Sequence, residues 1–292
     1  TNADSLYALR WDGSSNTWDS QIRITSGIAD KARDCFDIAF ERASGDAFLV
    51  WGDRAKNIMY REFTTAWQSP ATAYSGVSDN AEWLVAAYDP LPTSSKIAIG
   101  MLTKNENFEF GAWNGSSWVT RPTAIAARVL DNRGIDVVFE NGTGKALYIF
   151  NQSANPAQLA WRTWTSSGGF SSVTAETGSS GDINFMQLKA DSNSNDIMAL
   201  YSDKDSDLFH RKWDGSSWSV LGTALEVDLS HTAKTEPFMF AWTSSNSPTA
   251  VDLTSFTAHP SPSAAGSQGA LHLWRRFGWQ AHRWWRWVSH SG

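Results

Sequence analysis

An aromatic residue, a polar turn and a second aromatic return at a nearly fixed interval along this chain, and no other feature restricts its folding so tightly. The opening aromatic falls at Trp11, Phe63, Trp113, Trp164 and Trp213, in steps of 52, 50, 51 and 49 residues. A second series keeps the same beat: "FDIAFE", "LVAAYD", "IDVVFE", "MQLKAD" and "FMFAWT" end at Glu41, Asp89, Glu140, Asp191 and Thr243, in steps of 48, 51, 51 and 52. A period of this length marks one supersecondary unit repeated, each copy too small to bury its apolar face alone.

Each unit reads as four short strands. The first is the apolar run just quoted, and a turn rich in Gly, Ser or Asn leads to the second, "DAFLVWG", "KIAIGML", "KALYIFN" or "DIMALYS". The third precedes the aromatic turn, as in "NIMYREF", "NFEFGAW", "QLAWRTW" and "DLFHRKW"; the fourth is expected to start at the second aromatic, Trp18, Trp67, Trp118, Phe170 or Trp218. Four strands repeated every ~51 residues predict an all-β chain, a β-propeller of four-stranded blades. The chain opens with a third and fourth strand, "LYALRWDGSSNTW", while residues 236–256 supply a first and second, "EPFMFAW" and "AVDLTSF". The expected count is therefore five blades, the last closed by N- and C-terminal strands, which removes the sheet edges that an open array exposes.

The turn "WDGSSW" reads as a hairpin in which Asp or Asn with Gly supplies the backbone conformations and the flanking rings pack between blades. The same residues are the candidate ligand platform: Trp18, Trp67, Trp118 and Trp218 for stacking, with Asp12, Asn114 and Asp214 as polar partners. The long connections that follow, 19–34, 68–82, 120–133, 172–182 and 219–235, share little sequence with one another, which marks them as the variable loops where recognition is expected.

Composition enters through what it excludes. The formal charge is −6, with no basic run before the last twenty residues, so nucleic acid is not an expected partner. No apolar stretch approaches the ~18 residues needed to cross a bilayer as a helix, and the N-terminus lacks the pattern of a signal peptide. Cys35, the single cysteine, sits in an apolar run as a small buried hydrophobe. Residues 259–292 break the pattern: they hold five of the 17 Trp, four of the six His and four Arg, and no Asp, Glu or Lys. The body, 1–258, is read as the propeller. The tail reads as a sequence translated out of frame or a cloning remnant, or else as a basic aromatic helix for a membrane surface or a partner's groove.

No catalytic constellation emerges. His210 and His231 are the only histidines of the body, with no nucleophile motif beside them. Glu41, Asp89, Glu140 and Asp191 recur where a first strand meets its hairpin and read as solvated turn formers, with a ring of carboxylates as the alternative. Asp203, Asp205 and Asp207 have the alternate spacing of a calcium loop, although Leu208 stands where such a loop needs Gly; an acidic exposed turn is the other reading. No other cofactor is expected. Asn114, Asn141 and Asn151 fit the glycosylation sequon, in residues that hairpin turns also require.

The "W-[DN]-G-S-S-W" turns, the pair "FDIAFERASGDAFLVWGD" and the exit "TAVDLTSFTA" resemble repeat regions of large secreted bacterial surface proteins. That resemblance covers residues 1–258 and implies an extracellular or cell-surface β-propeller. A weaker, fold-level resemblance is to tachylectin, a five-bladed lectin that binds N-acetylated sugars between blades. The Asp boxes of sialidases differ by one residue, since Asp and Gly are adjacent here. Together these readings predict a non-catalytic extracellular binding module for glycan or another surface polymer. The alternatives are a self-associating structural surface or filament protein and, last, a propeller-fold glycoside-processing enzyme.

Overall fold

A computed structural model describes residues 5–30, 32–127, 132–152, 158–176, 182–227, 229, 238 and 240. All lie in the first of two units, Thr1–Ser255; the second, Phe256–Gly292, falls outside them. Every regular element among the described residues is a β-strand. The first repeat supplies β1 (Leu6–Ala8), β2 (Trp11–Asp12), β3 (Thr17–Trp18) and β4 (Ile22–Thr25). The second supplies β5 (Phe36–Phe40), β6 (Ala47–Gly52), β7 (Ile58–Phe63) and β8 (Ala71–Tyr74), and the third β9 (Ala81–Tyr88), β10 (Ile97–Thr103), β11 (Asn107–Trp113) and β12 (Ile125–Ala126). The fourth contains β13 (Ile135–Phe139), β14 (Ala146–Gln152), β15 (Gln158–Thr165), β16 (Gly169–Phe170) and β17 (Thr174–Ala175); the fifth β18 (Ile183–Ala190), β19 (Ile197–Asp203) and β20 (Leu208–Trp213).

Within a repeat the strands pair in sequence order and antiparallel, β5-β6-β7-β8 and β9-β10-β11-β12, and the first strands β5, β9, β13 and β18 lie side by side across repeat boundaries. Each second strand is a continuous apolar run because both of its faces are covered. In β10, Ile97, Ile99 and Met101 enter a core shared with the second repeat, while Ala98 and Leu102 enter one shared with the fourth. In β14, Ala146, Tyr148 and Phe150 face back to the third repeat, and Leu147 and Ile149 face forward to the fifth. The period of two thus divides one strand between two cores, so each sheet is held by its neighbours. Polar bonds fix the register: the Asp37 carboxylate accepts the Ala86 N–H at 2.9 Å, and Asp136 accepts the Leu188 N–H at 2.7 Å.

Two expectations need correction. The second aromatics do not begin the fourth strands; they pair antiparallel with the first aromatics, in two-residue ladders at Trp11/Trp18 and Trp164/Phe170 and in single bridges at Phe63/Trp67, Trp113/Trp118 and Trp213/Trp218. The fourth strands start four to seven residues later, at Ile22, Ala71, Ile125 and Thr174, where the chain returns to the other half of the third strand. In the second and third repeats Pro70 and Pro122, which have no N–H to give a ladder, occupy the gap. The presumed long connections therefore contain the fourth strands, and the links between repeats are shorter. The expected pairing of the N-terminal strand with residues 236–256 lies outside the described residues, apart from Phe238 and Phe240, which are buried against Phe185, Met198 and Leu200 of the fifth repeat.

Candidate functional site

Five aromatic hairpins share one geometry. Ring centroids lie 5.4 Å apart for Trp11/Trp18, 5.3 Å for Phe63/Trp67, 5.7 Å for Trp113/Trp118, 6.3 Å for Trp164/Phe170 and 5.5 Å for Trp213/Trp218, with the rings inclined between 46° and 67°. Such edge-on pairs satisfy the ring quadrupoles. Between them, Asn114 Oδ1 accepts the N–H groups of Ser116 and Ser117, both at 3.0 Å, and Asp214 Oδ1 does the same at 2.8 Å, while Gly115 and Gly215 take φ of 99° and 97°. These backbone bonds hold the Asp214 carboxyl well below the usual range. Asp12 caps Ser14 at 2.9 Å, but there the positive φ falls on Asn16 rather than on Gly13.

The candidate ligand residues thus occupy equivalent places, one set per repeat, and are not gathered into one site. The oxygens of Asp12, Asn114 and Asp214 are engaged in their own turns. Trp218 is buried, Trp67 and Trp118 are half-buried, and Trp18 is 55% exposed. The three aspartates proposed for calcium are explained by a turn. Asp203 is buried and its Oδ1 accepts the N–H groups of Asp205 and Asp207, each at 3.0 Å, while Asp205 pairs with Lys204. Asp53 caps the corresponding turn of the second repeat in the same way, through Ala55 and Asn57. Among the described residues no group of three or more His, Cys, Asp or Glu is placed to hold a metal ion.

Of the repeated acids, Asp191 is the partly exposed turn former expected, accepting from Asn193 and Ser194, and the other three are not solvated. Glu41, Asp89 and Glu140 are buried; Glu41 and Glu140 accept the indole N–H of Trp113 and Trp213 in the following repeat, while Asp89 binds Ser94 and Lys96. A buried carboxylate with charged and hydrogen-bonded partners is a tolerable one. Of the sequon residues, Asn151 is buried with its amide donating to the Ile183 carbonyl.

The third repeat departs from the second, fourth and fifth, which share an arginine that the first, with Leu9 at the same position, also lacks. Two positions before the hairpin aromatic stand Arg61, Arg162 and Arg211, whose guanidinium groups donate to the carbonyls of Gln68, Ser171 and Ser219, strapping the chain that leaves the hairpin. The third repeat has Gly111 there. A Cβ at Gly111 would run into the ring of Tyr74 from the preceding sheet. That tyrosine fills the gap instead: its hydroxyl accepts the Ala112 N–H at 3.0 Å and donates to the Ala112 carbonyl at 3.3 Å. Without the strap, the segment after Trp118 supplies its own arginine. Arg121 pairs with the fully buried Glu109 of β11 and donates to the Gly76 carbonyl at 3.1 Å, and Glu109 Oε1 also accepts the Ser78 N–H at 2.6 Å.

These residues line an open cleft of about 680 Å³ between the second and third sheets, walled by Tyr74, Trp118, Val119 and Pro122 and edged by the hydroxyls of Ser75, Ser78, Thr120 and Thr123. Burial pushes the Tyr74 hydroxyl far up, so it stays a neutral phenol; burial also lowers Arg121, against the opposing influence of Tyr74. The arrangement offers a planar fork of donors beside a carboxylate and next to an aromatic wall, the equipment for a polyhydroxylated ligand with one apolar face. A smaller recess of about 360 Å³ lies beside Asn114, between Leu91, Ser94, Lys96 and Ser116. Sequence reasoning placed Trp118 in the candidate set but missed Tyr74, Glu109, Gly111 and Arg121. The signal was available as a break in the repeat: a Glu inside the apolar strand "NFEFGAW" and a Gly where three repeats have Arg.

No family model and no curated protein matches the chain. Solved structures do. The BP39L lectin from Burkholderia pseudomallei superposes with a TM-score of 0.56 at 9% identity, covering 80% of this chain and 71% of the lectin, which establishes a likeness of fold. The fungal lectin of Aleuria aurantia, described as a six-bladed β-propeller with a novel fucose recognition mode, gives a TM-score of 0.43 at 13% identity over 66% of this chain. The SapL1 lectin in complex with α-methyl fucoside gives 0.45 at 11% identity, covering 74% of this chain and 70% of SapL1. The match spans 65% of the Aleuria lectin, just under two thirds of its length.

Proposed function

We propose that the chain is a non-catalytic glycan-binding module of β-propeller type that works outside the cell or at its surface. The observation that carries this reading is the cleft in which Arg121 and Glu109 lie beside Trp118. A pyranose has one face of C–H groups and a rim of hydroxyls. The C–H face stacks on an indole, while neighbouring hydroxyls accept from the guanidinium of Arg121, which the buried Glu109 carboxylate holds in place. The fold likeness to the BP39L lectin supports the same reading, since loops and clefts on such a scaffold are where recognition resides.

The finer architecture belongs to the proposal. Five four-stranded blades, the last completed by N- and C-terminal strands, fit the repeat arithmetic, and Arg10 stacked 5.3 Å from the Phe63 ring places the first repeat beside the second. The test is a glycan array probed with the full chain, checked for its melting transition beforehand. Retention of glycans that is lost in Arg121→Lys supports the module. A folded protein that retains none sinks it, and concentration-dependent assembly in the same preparation would favour a structural surface protein instead.

A further inference from the structure

We infer that, among the described residues, the chain presents a single glycan site, in the third repeat, and not one per repeat; the inference rests on the glycan-binding reading above. Repetition leads to the opposite expectation, because equivalent aromatic hairpins would give equivalent pockets. The side chains that build the cleft are not repeated. At the position of Glu109 the other repeats carry Tyr7, Met59, Ala160 and Phe209, and at that of Arg121 they carry Gln21, Pro70, Val173 and Leu221. None of these pairs can offer a charged fork beside a carboxylate.

The backbone states the same exclusion. In the second, fourth and fifth repeats an arginine strap holds Gln68, Ser171 or Ser219 against the third strand by donating to its carbonyl; in the fifth, Arg211 also pairs with Glu176 at 3.3 Å, but its side chain is only 6% exposed and closed to a ligand. Arg162 is also wedged between the rings of Phe110 and Phe170, at 5.0 and 5.2 Å, where a ligand would have to displace it. Only where Gly111 replaces the strap does the arginine come from the loop, with its side chain 22% exposed at the cleft. Tyr74, which makes Gly111 necessary, has Thr25, Ile125 and Leu225 at the matching offset in the first, third and fifth repeats. One exchange of packing partners therefore both removed the strap and opened the cleft.

Charge narrows the ligand. Glu109 is wholly buried and compensates Arg121, so the floor of the cleft has no net cation to hold a carboxylate or sulfate. The site suits an uncharged sugar and disfavours sialic or uronic acids. A single site also means that the chain alone does not cross-link glycans, since avidity requires a second site within reach.

Calorimetric titration of the full chain with the methyl glycosides of fucose, galactose, mannose and N-acetylglucosamine, and with N-acetylneuraminic acid as the acidic probe, decides the matter. The expected result is one neutral sugar bound per chain, at least tenfold weaker in Arg121→Lys and in Thr123→Val, and changed less than twofold in Trp218→Phe and Trp67→Phe. Thr123 is an exposed cleft residue, so its variant separates lost binding from lost folding. Two or more equivalent sites, equal losses in the Trp218 and Arg121 variants, or a preference for the acidic probe would overturn the single neutral site while leaving the lectin reading intact. No binding of any probe by a folded chain, together with an empty array, would remove that reading and this inference with it.

Discussion

Glu140 Oε1 accepts the indole N–H of Trp213 at 2.8 Å, across the boundary between two sheets and 73 residues of chain. Glu41 and Trp113 repeat the bond at 2.9 Å and 72 residues. The two series that run through the sequence, acids at the ends of first strands and aromatics at the hairpins, are thus joined in one contact wherever the acid is a glutamate, Glu41 and Glu140 each meeting the indole of the next repeat. Asp89, one methylene shorter, closes on Ser94 and Lys96 of its own sheet.

The clasp predicts unequal costs. Trp213→Phe removes one donor and keeps most of the ring, and Glu140 retains Lys145 at 3.0 Å and Thr143, so the loss should be about 1–2 kcal/mol. Glu140→Ala leaves the buried indole N–H without its acceptor and takes the carboxylate from Lys145, which keeps the Gly215 carbonyl, and should cost about 2–4 kcal/mol. Urea denaturation of both variants measures the order; a smaller loss for Glu140→Ala would show that the carboxylate does not hold the sheets.

Much of the scaffold was legible because its causes are local. Period, strand number and turn chemistry follow from residues within one repeat, and the aromatic pairs at Trp113/Trp118 and Trp213/Trp218 sit where the pattern puts them. What was misread depends on partners in the next repeat. Glu140 looks like a turn former until Trp213 is beside it, and the fourth strand at Ile125 has only two residues and no pattern of its own. The cleft was hidden for the opposite reason: Glu109, Gly111 and Arg121 are exceptions to the repeat, and a reading that averages over repeats discards exceptions.

Cys35 tests the burial of the second repeat. Its thiol is fully buried, bonded to the Asp30 carbonyl at 3.1 Å, and burial raises its pKa to about 11 from 9.0. A raised thiol pKa favours the fold below the unfolded value and loses that advantage as pH climbs from about 9 to about 11, a change of roughly 2–3 kcal/mol. Cys35→Ser should show a flatter stability profile over that window. In the native state the thiol should react with an aromatic disulfide reagent only at the rate of unfolding; immediate labelling at pH 8 would contradict the packing.

Gly111 and Tyr74 form a pair that a double-mutant cycle can read. Gly111→Ala places a methyl group in the Tyr74 ring, which is anchored at both ends of Ala112, and should destabilise by about 1–3 kcal/mol. Tyr74→Ala leaves a cavity but makes room, so Gly111→Ala should cost less in its presence, by at least about 1 kcal/mol. Additive effects in thermal melts would mean that the glycine is not there for the tyrosine.

Closure is the last and widest expectation, and the acid–indole contact supplies its test. Phe63 is the one hairpin-opening aromatic without an N–H, and Thr243 is the one member of the acid series without a carboxylate. If the last unit and the first share a blade, Thr243 precedes Phe63 as Glu41 precedes Trp113, and the two exceptions explain each other: neither has a partner to serve. Arg10 over Phe63 already sets the first repeat against the second. Phe63→Trp combined with Thr243→Glu should therefore stabilise the chain by about 1 kcal/mol more than the two single changes together. Removing residues 1–18 should expose the apolar flank of the second sheet and cause aggregation, whereas removing 259–292 should leave the melting temperature unchanged. Strict additivity of the pair, with a harmless first deletion, would show that the ends do not meet.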